Sequence, residues 1–442
     1  MSLPEPMFPQ ISHLLFYFTG TWIPLPGNTF GLFVALAFMV AFRVLKSEMR
    51  RRENAGEFKL EKVIVPVFTP VELNDVFTTT GIWALIGWKL GYGIMNWTQF
   101  SCDPGSVLAS LDGNIYFGLA AAAIAGGLRY RDYLKTKGQE IRTEEQMLGP
   151  TRLLGKVLGM AFVAGIIGAK LFAFLEDWDG FIQDPIGSML SLNGLTFYGG
   201  LITAGVVISW YLVKQGYNAF HMWDVFAPCL ILAYGVGRMG CQLSGDGDWG
   251  ILNSAYIVSA DEKSVIAGPG DFERELNANE GYYQREFRPL IDLSAVPRAS
   301  FQGPSFLPNW FFAFSYPNNV INNGIPVANC QSTPCTDAKY CERLPLPVFP
   351  TPMYEFFLGI LIFGFLWSIR KKMKIHGQIT GLYLVLNGLE RFSIEKIRVN
   401  ATLDFLGTRV TQAEIISSAL MLAGIAVLLY VNLKKKPQNR VE

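Results

Sequence analysis

Residues 232–250 read LAYGVGRMGCQLSGDGDWG, an apolar run that changes into a segment of glycines, aspartates and one tryptophan. Helical, apolar character continues to about Val236, and the glycines beyond it allow backbone conformations that other residues avoid. Arg238 lies beside this change, near the expected end of a membrane helix, where a guanidinium is costly unless it meets a partner or an anionic head group. The stretch predicts either the mouth of a binding site or an interfacial arginine beside a flexible loop.

The composition is that of a membrane protein, since 50% of the 442 residues are hydrophobic and only 17% are charged. Apolar runs long enough to span a bilayer recur along the chain. We therefore predict an all-α polytopic membrane protein with about nine transmembrane helices. The predicted spans lie near residues 28–45, 77–97, 113–128, 152–175, 194–213, 222–240, 352–369, 377–397 and 413–432.

The distribution of lysine and arginine predicts the orientation of these spans. Residues 1–27 and the loop 98–112 contain neither residue, whereas the connections that follow the first and third spans are basic. Positively charged short loops stay in the cytoplasm. We therefore expect the N-terminus outside and the C-terminus inside, with an odd number of spans.

The predicted spans divide the chain into four segments. Residues 1–27 form an outer interfacial segment, 28–240 the first six spans, 241–350 an outer loop, and 351–442 the last three spans with a cytoplasmic tail. The outer loop is far longer than a connector, so we expect a small mixed domain. Its β-prone runs, AYIVSA (255–260) and PNWFFAFSY (308–316), predict strands.

Four of the six cysteines fall in predicted outer segments. These are Cys102, Cys330, Cys335 and Cys341. An oxidising outer compartment permits disulfides among them, and several pairings are open. Their spacing also fits a metal site, but because no histidine is nearby we favour disulfides, and we predict neither a metal nor a cofactor. Cys229 lies within a span and is expected to pack there.

The eighth predicted span, GLYLVLNGLERFSIEKIRVN (381–400), ends in charged residues. Arg391, Glu395 and Arg398 have the spacing i, i+4, i+7, which places them on one face of a helix. Intramembrane charges of this kind usually face the protein interior and pair with each other. They form either an ion-pair network that fixes helix packing or part of a functional site.

Arg238, Arg391 and Arg398 are expected at the outer ends of separate helices, where they could converge. Guanidinium groups bind phosphate bidentately, and backbone N–H groups of the glycine segment would add donors, so a phospholipid head group suits the site. Four acids would either hold the arginines or accept a proton from a nucleophile. They are Asp246, Asp248, Glu355 and Glu395.

A second glycine motif, LTFYGGLI (195–202), precedes the fifth predicted span. Gly199 and Gly200 allow the chain a sharp entry into that span. Tyr198 is either an aromatic residue of the membrane interface or a hydroxyl of the site.

Taken together, these motifs resemble the prolipoprotein diacylglyceryl transferase family over about residues 152–250 and 350–435. LTFYGGLI is similar to the family's histidine-glycine-glycine motif, and GRMGCQLSGDGDWG to its signature of Gly-Arg, Gly-Asn and a closing Gly. TPMYE is similar to its Pro-Ser-Gln-Leu-Tyr-Glu stretch, and NGLERFSIEKIR to its helix of Arg and Glu.

The resemblance implies a multi-pass enzyme of the bacterial inner membrane that moves a diacylglyceryl group at the outer leaflet. The donor would be phosphatidylglycerol, and the acceptor the lipobox cysteine thiol beside a prolipoprotein signal peptide. It implies neither a nucleic acid partner nor a cofactor.

By the same resemblance, Arg238 and Arg391 bind the lipid phosphate and support the departing glycerol phosphate. Glu395 and Glu355 order that site, and Tyr198 stands where the family has a histidine proposed as general base. The implied catalytic residues are Arg238, Arg391, Tyr198 and Glu395. The implied substrate-binding residues are Gly199, Gly200, Gly240, Cys241, Ser244, Asp246, Asp248, Gly250, Glu355 and Arg398.

The departures from the family pattern support a second hypothesis, a non-catalytic relative that binds lipid as a membrane subunit of a larger assembly. Cys241 replaces the signature asparagine, and either Asp246 or Asp248 replaces its glutamate. The second and third spans form an extra hairpin, and this hairpin and the long outer loop would dock a protein partner or shape substrate access. A transporter fits less well, because the charges cluster at one end and no internal repeat is evident.

Overall fold

The computed structural model describes residues 7–176, 178–190, 196–288, 292–327, 330, 340–400, 402–405 and 408–434. Most of them are helical. The helices are α1 (Ile11–Thr19), α2 (Thr29–Asn54), α3 (Leu73–Met95), α4 (Trp97–Cys102), α5 (Pro104–Ala109), α6 (Ile115–Thr136), α7 (Leu154–Glu176), α8 (Trp178–Gln183), α9 (Pro185–Leu190), α10 (Phe197–Lys214), α11 (Ala219–Ser244), α12 (Asp271–Ala278), α13 (Glu280–Glu286), α14 (Thr351–Ile369), α15 (Gln378–Glu395) and α16 (Gln412–Leu433).

Each predicted span coincides with one of the long helices, which are α2, α3, α6, α7, α10, α11, α14, α15 and α16. Five apolar segments of the described chain are long enough to cross a membrane. They are Thr29–Asn54, Pro150–Leu175, Ala219–Ser244, Thr351–Ile369 and Gln412–Leu433. The chain is therefore a multi-pass membrane protein, while nine spans and their orientation stay predictions.

Several helices extend beyond the predicted spans. The first predicted span ends at residue 45 but α2 continues to Asn54, and the third ends at 128 but α6 continues to Thr136. The extensions carry charged residues such as Arg51 and Lys135 in their last turns. Basic residues near a helix C-terminus interact favourably with the helix dipole. The helix therefore continues beyond its apolar part.

Helix α11 also continues past the predicted break at Val236, which is wrong by two turns. The helix ends at Ser244, and Gly245 caps it in the left-handed conformation with φ 64°, its N–H donating to the Cys241 carbonyl. An interior glycine costs a helix only about 1 kcal/mol. Packing offsets that cost, because a Cβ on Gly240 would lie 2.7 Å from the Cβ of Phe33 in α2.

The centre of the helical bundle is α11, the most buried of the candidate spans. It packs against α2, α14 and α15. It approaches α14 closely where two glycines meet, since a Cβ on Gly359 would lie 3.0 Å from the Cα of Gly235. This contact places the end of α11 beside the start of α14.

The connections around the extra hairpin, α3 and α6, are joined by a sheet that the sequence did not predict. Strand β1 (Glu61–Phe68) pairs antiparallel with β2 (Arg142–Leu148), in the register Glu61↔Leu148. The two strands are far apart in the sequence, so the only local signal for their pairing is the β propensity of each segment. That signal is weak for β2, because its residues are mostly charged and polar. The sheet holds both connections at one end of the helices, as the predicted orientation requires.

The segment 241–350, predicted as an outer loop and which we call the outer domain, folds around an apolar core to which Met7 of the N-terminal segment also belongs. This core includes Leu252, Phe272, Leu276, Tyr283, Tyr316 and Leu346. Its strands are short: β3 (Leu252–Asn253), β4 (Tyr256–Val258), β5 (Ser264–Ile266), β6 (Arg298–Ala299), β7 (Ile325–Pro326) and β8 (Glu342–Arg343). β3 pairs parallel with β6, β4 pairs antiparallel with β5, and β7 pairs antiparallel with β8. The last two strands of the chain, β9 (Thr402–Phe405) and β10 (Thr408–Thr411), form a hairpin before α16.

Of the two predicted strands in this loop, one is confirmed and one is wrong. AYIVSA contains β4, whereas PNWFFAFSY forms a turn of 3₁₀ helix at Asn309–Phe311 and then a single bridge from Phe314 to Val348. Its aromatic residues are buried by packing rather than by pairing, as Phe312 and Phe314 belong to two different core clusters.

The cysteine predictions are confirmed where the described residues test them. Cys330 and Cys341 form a disulfide. Cys102 is also disulfide-bonded, and Cys335 lies outside the described residues. Cys229 is a free, buried thiol in α11 that donates to the Val225 carbonyl at 3.4 Å, as expected of a packing residue.

Candidate functional site

The arginines singled out in the sequence meet at one end of the bundle. Arg238 lies near the end of α11 and Arg391 near the end of α15, while Arg398 follows α15. Glu355 lies near the start of α14, and Asp248 lies in the segment 245–250 after α11, which we call the glycine loop. Because antiparallel neighbours bring the end of one helix to the start of the next, these side chains form one cluster.

The centre of the cluster is Glu355, whose side chain is fully buried. Its carboxylate faces three guanidinium groups. The distances are 3.0 Å from Oε2 to Arg238 Nε, 3.2 Å from Oε1 to Arg391 Nη1 and 3.7 Å from Oε1 to Arg398 Nη1. A buried carboxylate needs such partners, and it fixes the arginines relative to one another.

A second carboxylate, Asp248, joins the glycine loop to two of the same arginines. Arg238 Nη1 contacts its Oδ2, and Arg398 Nη2 donates to its Oδ1 at 2.6 Å. Burial alone would raise the pKa of Asp248, but the two guanidinium groups outweigh it and hold that pKa below the usual range. The Thr351 hydroxyl donates to the Asp248 carbonyl at 2.9 Å and anchors the loop to α14.

The predicted pairing within α15 is confirmed for one pair and wrong for the third residue. Arg391 Nη2 lies 3.0 Å from Glu395 Oε2, as the i, i+4 spacing predicts. The helix ends at Glu395, however, and Arg398 lies beyond it, where its backbone bridges to Gly250. Backbone pairing with the glycine loop, which no helical pattern can reveal, brings Arg398 to the cluster.

The three arginines of the cluster form ion pairs with three carboxylates but retain free hydrogen-bond donors. Three arginines face three carboxylates, those of Asp248, Glu355 and Glu395. The Arg398 side chain is only 9% exposed. Within the described part of the chain, its Nε and Nη1 atoms are buried and donate no hydrogen bond. Unsatisfied buried donors are costly, so this arginine is suited to receive an oxyanion.

Cys241 and Asp246 lie at the edge of the cluster. The Cys241 thiol is free and buried, with Sγ 3.8 Å from Arg238 Nη1. Burial and then the neighbouring Asp248 raise the pKa of the Asp246 carboxyl. Two adjacent carboxyl groups therefore differ in proton affinity, and Asp246 is the better proton acceptor of the two.

Cys241, Asp246 and Asp248 also have the spacing of metal ligands, with one ligand atom of each within 4.8 Å of the others. Arg238 and Arg398 both contact Asp248, however, and occupy the oxygen atoms that a cation would need. Two fixed guanidinium groups also repel a cation. The local chemistry favours an anion over a metal.

The remaining signature residues contribute packing. Gly240 lies within α11 against α2 and not in the glycine loop, and its role in substrate binding stays a prediction. A Cβ on Gly250 would lie 2.6 Å from the Ile397 carbonyl, so only glycine lets the loop approach the segment that carries Arg398. Ser244 is buried, and its carbonyl accepts the Val320 N–H at 2.9 Å, which joins α11 to the outer domain.

The second glycine motif lies in the first turn of α10 and contacts α7. A Cβ on Gly199 would lie 2.4 Å from the Cβ of Phe172, and one on Gly200 would lie 2.8 Å from the Gly165 carbonyl. Among the contacts of the described residues, these two glycines lie against α7 and not against the arginine cluster. The Tyr198 side chain lies outside the described residues.

Sequence reasoning missed two residues of the cluster. Tyr234 donates to Glu390 Oε1 at 3.2 Å, and its ring centroid lies 5.3 Å from the Arg238 guanidinium carbon. Asn400 donates to Glu395 Oε1 at 2.6 Å. The i, i+4 spacing of Tyr234 and Arg238 was a usable signal. Asn400 had none, since it lies outside any regular element.

The chain is similar to proteins of a known family. The family model described as prolipoprotein diacylglyceryl transferase matches residues 117–430, most of the chain. A protein of Chlorobaculum tepidum named phosphatidylglycerol–prolipoprotein diacylglyceryl transferase is 26% identical over 306 residues, which cover 66% of this chain and 76% of the relative. A protein of the same name from Streptococcus pneumoniae is 24% identical over 321 residues, which cover 72% of this chain and 90% of the relative.

Proposed function

The chain belongs to the prolipoprotein diacylglyceryl transferase family, and from this premise we propose that it transfers a diacylglyceryl group from phosphatidylglycerol to the cysteine thiol of prolipoproteins. The arginine cluster is the observation that supports placing this reaction at a particular site. Arg238, Arg391 and Arg398 are held together by buried carboxylates beside the glycine loop. Such a cluster suits the phosphate of a lipid head group.

We propose the following reaction at this cluster. The sulfur of the substrate cysteine forms a bond to the lipid glycerol carbon that carries the phosphate, and the bond from that carbon to oxygen breaks. The electron pair leaves on the oxygen of glycerol phosphate, whose growing negative charge the guanidinium groups stabilise. The three arginines thus bind the donor and support the leaving group.

Arg398 is the residue we assign to the first contact with phosphate. Each of the three arginines faces two carboxylates, but only Arg398 keeps two buried donor atoms, Nε and Nη1, without hydrogen-bond partners among the described residues. A bound phosphate oxygen would satisfy these donors. Donors placed before substrate arrives need no reorganisation during the reaction.

We propose that the Asp246 carboxylate accepts the proton of the substrate cysteine thiol. Asp248, Glu355 and Glu395 are each paired with arginine, which weakens them as bases. Asp246 has a raised pKa and lies beside Arg238 and Cys241. Tyr198 stays the alternative acceptor, because its position in the sequence corresponds to the family's histidine.

The location and partners follow from the proposed reaction. A phosphatidylglycerol donor and a secreted acceptor place the cluster at the outer leaflet of the bacterial inner membrane. The acceptor would be a prolipoprotein with a lipobox beside its signal peptide, and the outer loop would face the periplasm. We do not favour a non-catalytic lipid-binding subunit, because the related proteins are named as transferases.

An in vitro transfer assay tests this proposal. Purified protein is mixed with phosphatidylglycerol and a lipobox peptide, and glycerol phosphate release is followed together with the peptide mass. We expect the mass of one diacylglyceryl group to be added per glycerol phosphate released, and Arg398→Ala to lower kcat/KM at least about 100-fold, as for loss of one oxyanion donor.

Arg298→Ala is the matched control. Arg298 lies in the outer domain, and among the described residues its side chain contacts Glu273 at 3.2 Å and the Phe272 ring rather than the cluster. Its variant should transfer as the wild type does. A folded wild-type protein that binds phosphatidylglycerol without transferring it would contradict the proposed function.

A further inference from the structure

A cleft leads from the arginine cluster into the outer domain. It has a volume of about 240 Å³. Asp248 and Arg398 of the cluster line one side, and Tyr282, Glu286 and Phe287 at the end of α13 line the other. The cleft therefore adjoins the proposed lipid phosphate site, and its lining comes from the glycine loop, the segment after α15 and the outer domain rather than from the long helices.

The aromatic walls of this cleft pack against the core of the outer domain. Phe287 and Tyr282 pack against the apolar core of the domain, and so does Trp249 of the glycine loop. The ring centroids of Trp249 and Tyr316 are 4.9 Å apart. The glycine loop and the outer domain are thus one packed unit, and the cleft between them is preformed.

The charge of the cleft is uneven. The two oxygens of Asp248 are both taken by arginines. Glu286 is exposed, and its described polar contact is the Asn323 amide, which donates to Oε1 at 3.2 Å. Tyr282 and Glu286 are four residues apart on α13 and both line the cleft, so the carboxylate lies on the same face of the helix as that ring. Glu286 is therefore an open negative charge at the outer rim.

We propose that this cleft binds the polypeptide segment that follows the modified cysteine of the prolipoprotein, with Glu286 favouring basic residues in it. The inference rests on the proposed function. A signal peptide occupies the membrane, so the chain beyond its cysteine must leave the cluster on the outer side. The cleft adjoins the cluster at Asp248 and Arg398 and is otherwise lined largely by the outer domain, and its aromatic walls and exposed carboxylate suit an extended segment of chain.

Kinetics with peptides of different sequence beyond the cysteine test this proposal. The full-length protein with phosphatidylglycerol is given lipobox peptides that end at the cysteine or continue with uncharged, lysine-containing or glutamate-containing residues. We expect KM to be lowest for the lysine peptides, and about twofold to fivefold higher for the glutamate peptides, as for one exposed ion pair. The kcat should change little.

Reversing the charge of Glu286 tests whether this residue sets the preference for basic peptides. Glu286→Lys should invert the order of KM for lysine and glutamate peptides. Glu280→Lys is the matched control, because Glu280 lies on the same short helix, is exposed, and accepts from Gln284 rather than lining the cleft. It should keep the wild-type order.

The outcomes separate this inference from the proposed function. Transfer to all peptides with equal KM, or the same shift in both variants, would overturn the cleft assignment and leave the transferase intact. Absence of transfer to every peptide by the wild type would instead contradict the proposed function itself.

Discussion

Glu355 shows how a single residue can organise a site inside a membrane protein. Its side chain has no solvent exposure, yet it faces three arginines from α11, α15 and the segment after α15. Its spacing in the sequence predicted only a carboxylate near the start of a span. The identity of its partners depends on how the helices pack. The sequence therefore indicated that Glu355 belongs to the site but not that it lies at the centre of the arginine cluster.

Replacing Glu355 with glutamine tests that position. The variant keeps the shape but leaves buried guanidinium charges without their counter-charge, which should cost about 3 kcal/mol or more of stability. Thermal unfolding in detergent measures the loss. Glu273→Gln removes an exposed ion pair with Arg298 and should cost less than about 1 kcal/mol. Equal losses would show that Glu355 is not the centre of the cluster.

Asp248 gives the cluster a defined pH dependence. Its pKa in the folded protein lies below the unfolded value of about 3.9, so its stabilising contribution is fully present above that value and is lost as pH falls through the folded pKa. The stability difference between the wild type and Asp248→Asn should stay constant from neutral pH to about pH 5 and shrink in more acid solution. Unfolding measured against pH tests this, and a difference that grows on acidification would contradict it.

At the scale of elements, apolar length predicted every long helix but not where each one ends. Spans need about 20 apolar residues, and that signal is local to each segment. The ends depend on contacts made elsewhere. Helix α11 continues through Gly240 because that glycine packs on α2, and α15 ends at Glu395, shortly before Arg398 pairs with the glycine loop. The pairing of β1 with β2 is equally non-local.

A second ion cluster joins α2 to α14 at the opposite end from the arginine cluster. The buried Glu48 lies 2.7 Å from Arg51, 3.1 Å from Arg52 and 3.0 Å from Arg370. It lies far along the same helices whose other ends reach the site. Its geometry suits a structural role in fixing helix packing.

Glu48→Ala should separate stability from chemistry. Removing the carboxylate leaves three arginines together and should destabilise the protein by about 3–5 kcal/mol. Because the cluster lies away from the proposed site, the kcat of the folded fraction should stay within about twofold of the wild type. Thermal unfolding and transfer kinetics on the same preparation measure both effects. A large fall in kcat without loss of stability would place Glu48 in the chemistry.

At the scale of the whole molecule, basic connections and the predicted outer segments alternate along the chain. The positive-inside pattern was readable from the sequence because it needs only the positions of lysine and arginine. The architecture of the outer domain was not, because its strands have two or three residues and its core is built from aromatic side chains distant in sequence. Long apolar helices are local features, whereas this domain depends on contacts between remote segments.

The predicted orientation gives a direct test of that pattern. Cysteines introduced singly at Ser2 and at Glu442 should react differently with a membrane-impermeant thiol reagent in intact spheroplasts. We expect labelling at the N-terminus and none at the C-terminus until the membrane is opened. Labelling of both termini from outside would require an even number of spans and would contradict the assignment.

The central claim is that the converged arginines carry the chemistry of diacylglyceryl transfer. The most direct measurement is the rate of glycerol phosphate release coupled to peptide lipidation for the wild type, Arg238→Ala and Arg391→Ala, at equal folded concentration in phosphatidylglycerol. We expect coupled products in the wild type and a fall in rate of at least about 100-fold in either variant, because each loses one guanidinium group that stabilises the leaving group. Full activity in both alanine variants, with their folding intact, would contradict it.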